Sequence, residues 1–183
     1  MANSNIKGKH ILAVDDELDI LETIEDILSD AVVDTAKDYE SAAAKIKNNR
    51  YDLAILDIMG VNGLLLLEAS VAQGIPTVML TAHAVNPETL MASISKGAIS
   101  YLPKEKLVEL EDLLSQLLGA HERGEPPWKI LFEKLEGYFN QRFGVGWQDR
   151  HKDFWSEFNK TYRISQGIRQ RLVHDKQIID KGI

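Results

Sequence analysis

HILAVDDE at residues 10–17 and LAILD at residues 53–57 decide how this chain folds. Each is a short apolar run that ends in acids. A strand covered on one face alternates apolar with polar residues. Continuous runs of this kind therefore predict strands buried on both faces, as in a parallel sheet. Between them the period changes. Leu18, Leu21, Ile24 and Leu28 recur at helical spacing within a helix expected over Leu18–Ser29. Val32–Thr35 is a short strand, and Tyr39–Asn48 is a helix through Ala42, Ala43 and Ile46.

The alternation continues past Asp57. Gly63–Ala72 is predicted helical, Ile75–Leu80 a strand running into Thr81, and Pro87–Lys96 a helix. Ala98–Leu102 is a fifth strand before Pro103 and Lys104. Leu107–Leu118 is a last apolar-striped helix, expected to stop at Gly119. Five strand–helix repeats predict an α/β domain with helices on both faces of the sheet. In such folds polar ligands sit beyond the carboxyl ends of the strands. Asp15, Asp16, Asp57, Thr81 and Lys104 all fall there.

Bulk properties narrow the function. The chain has 183 residues, 44% of them hydrophobic, enough for one domain and an appendage. With no cysteine, disulfides, zinc–thiolate sites and thiol catalysis are excluded. Residues 1–10 lack the apolar core of a signal peptide, and stretches such as Leu64–Leu67 are too short to span a bilayer. A cytoplasmic location without membrane partners is expected. The net charge of −7 is uneven: residues 1–120 hold 9 basic against 19 acidic residues, residues 121–183 hold 12 against 9. Phe and Trp occur only after position 120.

Those contrasts predict a domain over residues 1–120, a linker at 121–127 (HERGEPP) and a helical extension over 128–183. In the extension Trp128, Leu131, Phe132, Leu135, Tyr138 and Phe139 share one helical face. Gly144, Val145 and Gly146 break it. Helical character resumes from Asp149 to about Ile179, with Phe154, Trp155, Phe158, Tyr162 and Ile168.

An acidic pair at a strand end, alone, is a helix cap before it is anything else. Three carboxylates with a hydroxyl and an ammonium are a different matter. Asp15, Asp16 and Asp57 repel one another unless a cation or proton relieves them. Oxygen-only ligands suit Mg²⁺. An ionised Asp57 beside such a cation can act as a nucleophile toward phosphorus. Phosphoryl transfer spreads charge over equatorial oxygens, which Lys104 and Thr81 could help neutralise.

AVDDE at 13–17, LDIM at 56–59, LTAH at 80–83 and YLPK at 101–104 together resemble the receiver domain of two-component response regulators, over roughly residues 8–120. The resemblance implies a flavodoxin-like, doubly wound five-stranded parallel sheet of order 2-1-3-4-5. It implies Asp57 as phosphoacceptor, Asp16 as a direct Mg²⁺ ligand, Asp15 as a ligand through water, and the Met59 backbone carbonyl as a further ligand. Thr81 and Tyr101 would form a switch pair. Lys104 would pair with phosphoryl oxygens, and Ala82 would leave space for the hydrolytic water. The implied donor is a phosphohistidine on a sensor histidine kinase or phosphotransfer protein.

Two departures stand out. Met59-Gly60-Val61-Asn62-Gly63 is shorter than the family's loop and lacks its proline, which predicts a tighter turn. Glu105, where the family usually has proline, predicts a trans bond after Lys104.

The expected function is a phosphorelay switch, not a separate enzyme, whose tail could dimerise, pack back on the receiver or bind a partner. The alternative is a transcription regulator with a DNA-binding tail. That tail, with basic residues including Arg163, Arg169 and Arg171, is only weakly basic, which argues against nucleic acid. His10, His121, His151 and His174 lack metal-ligand spacing; His83 is close enough to Thr81 to touch the site.

Overall fold

The computed structural model describes residues 4–82 and 85–160. Two compact units divide at Phe143 and Gly144. The first contains strands β1 (His10–Val14), β2 (Val32–Ala36), β3 (Leu53–Asp57), β4 (Thr77–Thr81) and β5 (Ser100–Pro103). Helices α1 (Leu18–Ile27), α2 (Tyr39–Asn48), α3 (Gly63–Ala72), α4 (Pro87–Ser95), α5 (Leu110–Glu122) and α6 (Pro127–Phe143) connect and follow them.

All strand pairs are parallel, in the order β2-β1-β3-β4-β5. The fold is the expected doubly wound sheet. Every residue of β3 and β4 is buried, which is why their runs carry no polar alternation. Right-handed crossovers place α1 on one face, while α2, α3 and α4 lie side by side on the other. Asp38 and Asn86 cap α2 and α4 by accepting from the backbone of Ser41 and Thr89.

The C-terminal part of this unit differs from the sequence expectation. A 3₁₀ turn occupies Lys104–Glu109, so α5 begins only at Leu110. That helix continues through Gly119 instead of stopping there. A Cβ at Gly119 would meet the Asn5 side chain at 2.7 Å, so the glycine serves the approach of the N-terminal segment. Asn5 also donates from its backbone and side chain to Ser115 of α5. The turn falls later, at Gly124 with φ of +69°.

α6 then packs against α5 and β5 within the first unit. Its buried residues, Trp128, Leu131, Leu135 and Phe139, lie on the face that the spacing predicts. β5 ends the sheet, and an end strand normally shows one row of backbone groups to solvent. The opposite edge strand, β2, is partly exposed, yet all four residues of β5 are buried. Ile99 N–H donates to Thr77 on β4, so the preceding carbonyl, Ala98, faces the open edge. The Trp128 indole N–H donates to it at 3.0 Å.

In the second unit, a 3₁₀ turn over Trp147–His151 follows Gly146 and leads into a helix over 152–160. Trp147 and Trp155 meet edge to face at 5.2 Å, and Phe154 and Phe158 stack near them. Tyr162, Arg163, Ile168, Arg169, Arg171, His174 and the expected helix end near Ile179 lie outside the described residues.

The docking of α6 carries a stability prediction. Leu131→Ala should cost about 2–5 kcal/mol. Trp128→Phe, which leaves the Ala98 carbonyl without its indole partner, should cost about 1–3 kcal/mol. Urea unfolding of the 183-residue chain measures both.

Candidate functional site

Three strand ends build the site. Asp15 follows β1 directly, Asp57 is the last residue of β3, and Lys104 follows β5. The parallel register sets these ends side by side: Val14 pairs with Leu56, and Asp57 with Leu80. Asp15, Asp16 and Asp57 each bring a carboxylate oxygen within 4.8 Å of the others'. Asp15 and Asp57 are buried and Asp16 is exposed.

Lys104 is the counter-charge. Its Nζ lies 2.8 Å from Asp15 Oδ2 and 3.5 Å from Asp57 Oδ1. It also donates to Glu17 Oε1 at 2.8 Å. No sequence pattern marks Glu17 for this contact, although it stands two positions after Asp15. Asp15 accepts at its other oxygen from the Glu17 backbone N–H at 2.9 Å. That bond ties the acid to Glu17, the N-cap of α1, but neither Asp15 nor Asp16 caps the helix, whose N-terminus has no side-chain cap bond.

Electrostatics follow from burial. Desolvation raises the Asp57 pKa to about 7, with the nearby Asp15 charge adding to it, Lys104 opposing it and Asp16 adding further. Asp15 is raised as well, chiefly by burial, with Lys104 opposing. Burial works against the Lys104 charge, but its bonds to Asp15 and Glu17 hold its pKa above the ordinary lysine value. One lysine, paired with Asp15, Glu17 and Asp57, against a cluster that also holds Asp16 leaves excess negative charge. An oxygen-only donor set with that excess fits a hard divalent cation.

The loop after β3 is tight, as its length predicts. Gly60 and Asn62 both adopt left-handed backbone, at φ of +78° and +53°. A Cβ on Gly60 would sit 2.6 Å from the Asp16 carboxyl, and one on Gly63 would sit 1.9 Å from the Asp57 carbonyl oxygen. The loop thus folds onto both acids. Met59 lies in it with an exposed side chain, and its carbonyl accepts from Val61 N–H at 2.9 Å.

Thr81 ends β4, buried, and half-buried Ala82 follows it. Tyr101 is set apart from the carboxylates. It is fully buried on β5, and its hydroxyl lies 2.9 Å from Thr89 Oγ1 on α4. Burial raises its pKa, while bonds to Thr89, the Asn86 backbone and the Thr81 side chain oppose the shift. Thr89 is a partner that no spacing argument singled out. The bond after Lys104 is trans, as expected. His83 lies outside the described residues.

The raised Asp57 pKa has a testable sign. Its carboxyl is held above the unfolded value, so its contribution to stability is full below the unfolded pKa and is lost as pH rises through about 7. Asp57→Asn should therefore stabilise the metal-free protein at pH 8, by on the order of 2–4 kcal/mol. The difference should shrink steadily toward pH 4. Urea midpoints across that range measure it.

Residues 11–117 match the response regulator receiver domain family. A two-component response regulator of Arabidopsis thaliana is 33% identical over 113 residues, 58% of this chain and 18% of that protein. A second from the same plant is 31% identical over 109 residues, again 18% of its length. This chain thus spans about a fifth of the plant regulators that it matches. Among solved structures, a CheY-like receiver domain protein from Methanospirillum hungatei is 29% identical with a TM-score of 0.58. The match covers 64% of this chain and 98% of that one. One from Chloroflexus aurantiacus is 28% identical with a TM-score of 0.55, covering 62% and 99%. With its sheet order and its strand-end acids in place, the chain belongs to the response regulator receiver domain family.

Proposed function

We propose that this protein is a phosphorelay switch in which Asp57 accepts a phosphoryl group. The observation that carries the reading is the gathering of Asp15, Asp16, Asp57 and Lys104 at one sheet edge, with three carboxylates facing one lysine. Phosphoryl donors are anions, so an unrelieved acidic cluster would repel them. A divalent cation supplies the missing positive charge when bound, and Mg²⁺ fits oxygen donors that leave positions open for water and phosphate. Asp15, Asp16, Asp57 and the Met59 carbonyl would hold it.

In the transfer, an Asp57 carboxylate oxygen attacks phosphorus of a phosphohistidine on a sensor histidine kinase or phosphotransfer protein. The phosphorus–nitrogen bond breaks, and the electron pair returns to the imidazole, which takes a proton. Lys104 already lies 3.5 Å from Asp57 and can follow the new charge onto a phosphoryl oxygen. Thr81 would donate its hydroxyl to another oxygen, and small Ala82 leaves room for the water of dephosphorylation. Catalysis is confined to this self-phosphorylation and self-dephosphorylation. No helix among the described residues is long and apolar enough to cross a membrane, which is compatible with a cytoplasmic kinase partner. Among the described residues no observation favours the DNA-binding alternative.

Incubation with Mg²⁺ and acetyl phosphate should add the mass of one phosphoryl group to the intact chain. Asp57→Asn should show no gain, and Mg²⁺ removal should abolish it. Lys104→Ala should slow the gain by about 10²-fold or more, in line with loss of one charge-stabilising group. No mass gain on the unaltered chain would sink the reading.

A further inference from the structure

An ammonium has three N–H donors, and the one on Lys104 has three carboxylates around it. Asp15 Oδ2 and Glu17 Oε1 each lie 2.8 Å from Nζ, while Asp57 Oδ1 lies at 3.5 Å. The Lys104 side chain is only 9% exposed, so protein groups set the direction of its donors. Glu17 closes the arrangement into a ring. Its backbone N–H donates to Asp15 Oδ1 at 2.9 Å, and its carboxylate accepts from the lysine that also reaches Asp15 Oδ2. Glu17 is the N-cap of α1 yet makes no side-chain cap bond. Its carboxylate is turned instead to a lysine 87 positions away in sequence.

The three carboxylates around Lys104 are not equivalent. Asp15 and Asp57 belong, with Asp16, to the cluster whose oxygens lie within 4.8 Å of one another, and Glu17 does not. A cation held by that cluster draws on the charge of Asp15 and Asp57. It also repels the Lys104 ammonium. Both effects loosen the lysine at the moment when it is needed. The Glu17 carboxylate stands outside the cluster and still opposes them. With Asp15 and Glu17 each taking one N–H, the remaining donor is the one available to Asp57, and to an oxygen that arrives there.

We propose that Glu17 is a positioning residue of this site, whose carboxylate keeps Lys104 at the sheet edge once a divalent cation has engaged the aspartates. The inference rests on the phosphoacceptor reading above and deepens it: Glu17 acts through Lys104, which in turn meets the phosphoryl oxygens. The sign of its effect separates this role from bulk charge. Removing a negative charge beside an anion site makes that site more attractive to anions. Removing a group that holds the lysine in place makes it less so. The size of the effect is limited, because the Glu17 side chain is half in water and exposed ion pairs are weak.

Calorimetric titration of beryllium fluoride, a phosphoryl mimic, into the 183-residue chain with Mg²⁺ present tests this. Glu17→Gln keeps the size of the side chain and removes its charge, and it should weaken mimic binding about three- to fivefold. A second measurement reads the lysine directly. Acylating reagents attack the uncharged, accessible amine, so pairing protects Lys104. Mass-spectrometric mapping should show labelling of Lys104 rising about threefold or more in Glu17→Gln with Mg²⁺ bound, against a constant Lys129 reference. The rise should be smaller without the metal, where Asp15 still holds the lysine. Mimic affinity that is unchanged or higher in Glu17→Gln would overturn the inference and leave the phosphoacceptor reading intact. Labelling of Lys104 that does not rise would do the same. If the unaltered chain bound no mimic, both would fall.

Discussion

Two buried carboxylates share one ammonium at the carboxyl edge of the sheet, and the architecture is organised around that imbalance. Removing a carboxylate from water costs several kcal/mol unless it is paired. Asp15 has a direct partner in Lys104 at 2.8 Å, while Asp57 has the same lysine only at 3.5 Å. The weaker partnership falls on the residue with the more strongly raised pKa. On the proposed function that condition suits a phosphoacceptor: a bound cation would lower the Asp57 pKa, and a phosphoryl group would take over its interaction with Lys104. The parallel sheet brings residues this far apart in sequence to one edge, where open α/β folds place their ligands.

Gathering charge at the edge forces the surrounding backbone into close quarters. Gly60 and Gly63 admit the acids because a side chain at either would occupy the space of the Asp16 carboxyl or the Asp57 carbonyl. Asn62 takes left-handed backbone to complete the turn, at some steric cost that its short polar side chain reduces. The loop is thereby shaped by the acids it encloses. Its proline-free sequence then follows, since a ring with fixed φ suits neither left-handed position.

How much of this was written in the sequence varies with the range of the interaction. The strands were legible because burial on both faces leaves continuous apolar runs, and Asp15, Asp57, Thr81 and Lys104 were legible because strand ends are where such folds expose polar groups. Glu17 was passed over since its bond to Lys104 is a contact across the sheet edge that no local pattern marks. Thr89 was missed for a similar reason: it looks like an ordinary first-turn residue of α4, and only the position of Tyr101 gives it a partner. Gly119 misled because a glycine after an apolar stripe reads as a helix stop, whereas here it makes room for Asn5. The face of α6 was readable from spacing, but its destination on β5 was not. Amphipathicity states that a helix needs cover and leaves open what provides it.

That destination matters for how a signal could leave the site. β4 and β5 are hydrogen-bonded along their length, with Met79 opposite Tyr101 and Thr81 opposite Pro103. A ladder of this kind holds the side chains on its two strands at fixed spacing, so what touches them on either side is set by the register. Tyr101 spans the end of that ladder, with Thr81 and Thr89 at its hydroxyl and Phe139 at its ring. Between Thr81 and α6 the contacts thus run through a single side chain. A receiver whose outer strand were bare would have to find its reader in another molecule. In this chain α6 already sits on that strand, so any external partner for the strand must first compete with a covalently attached helix at high effective concentration.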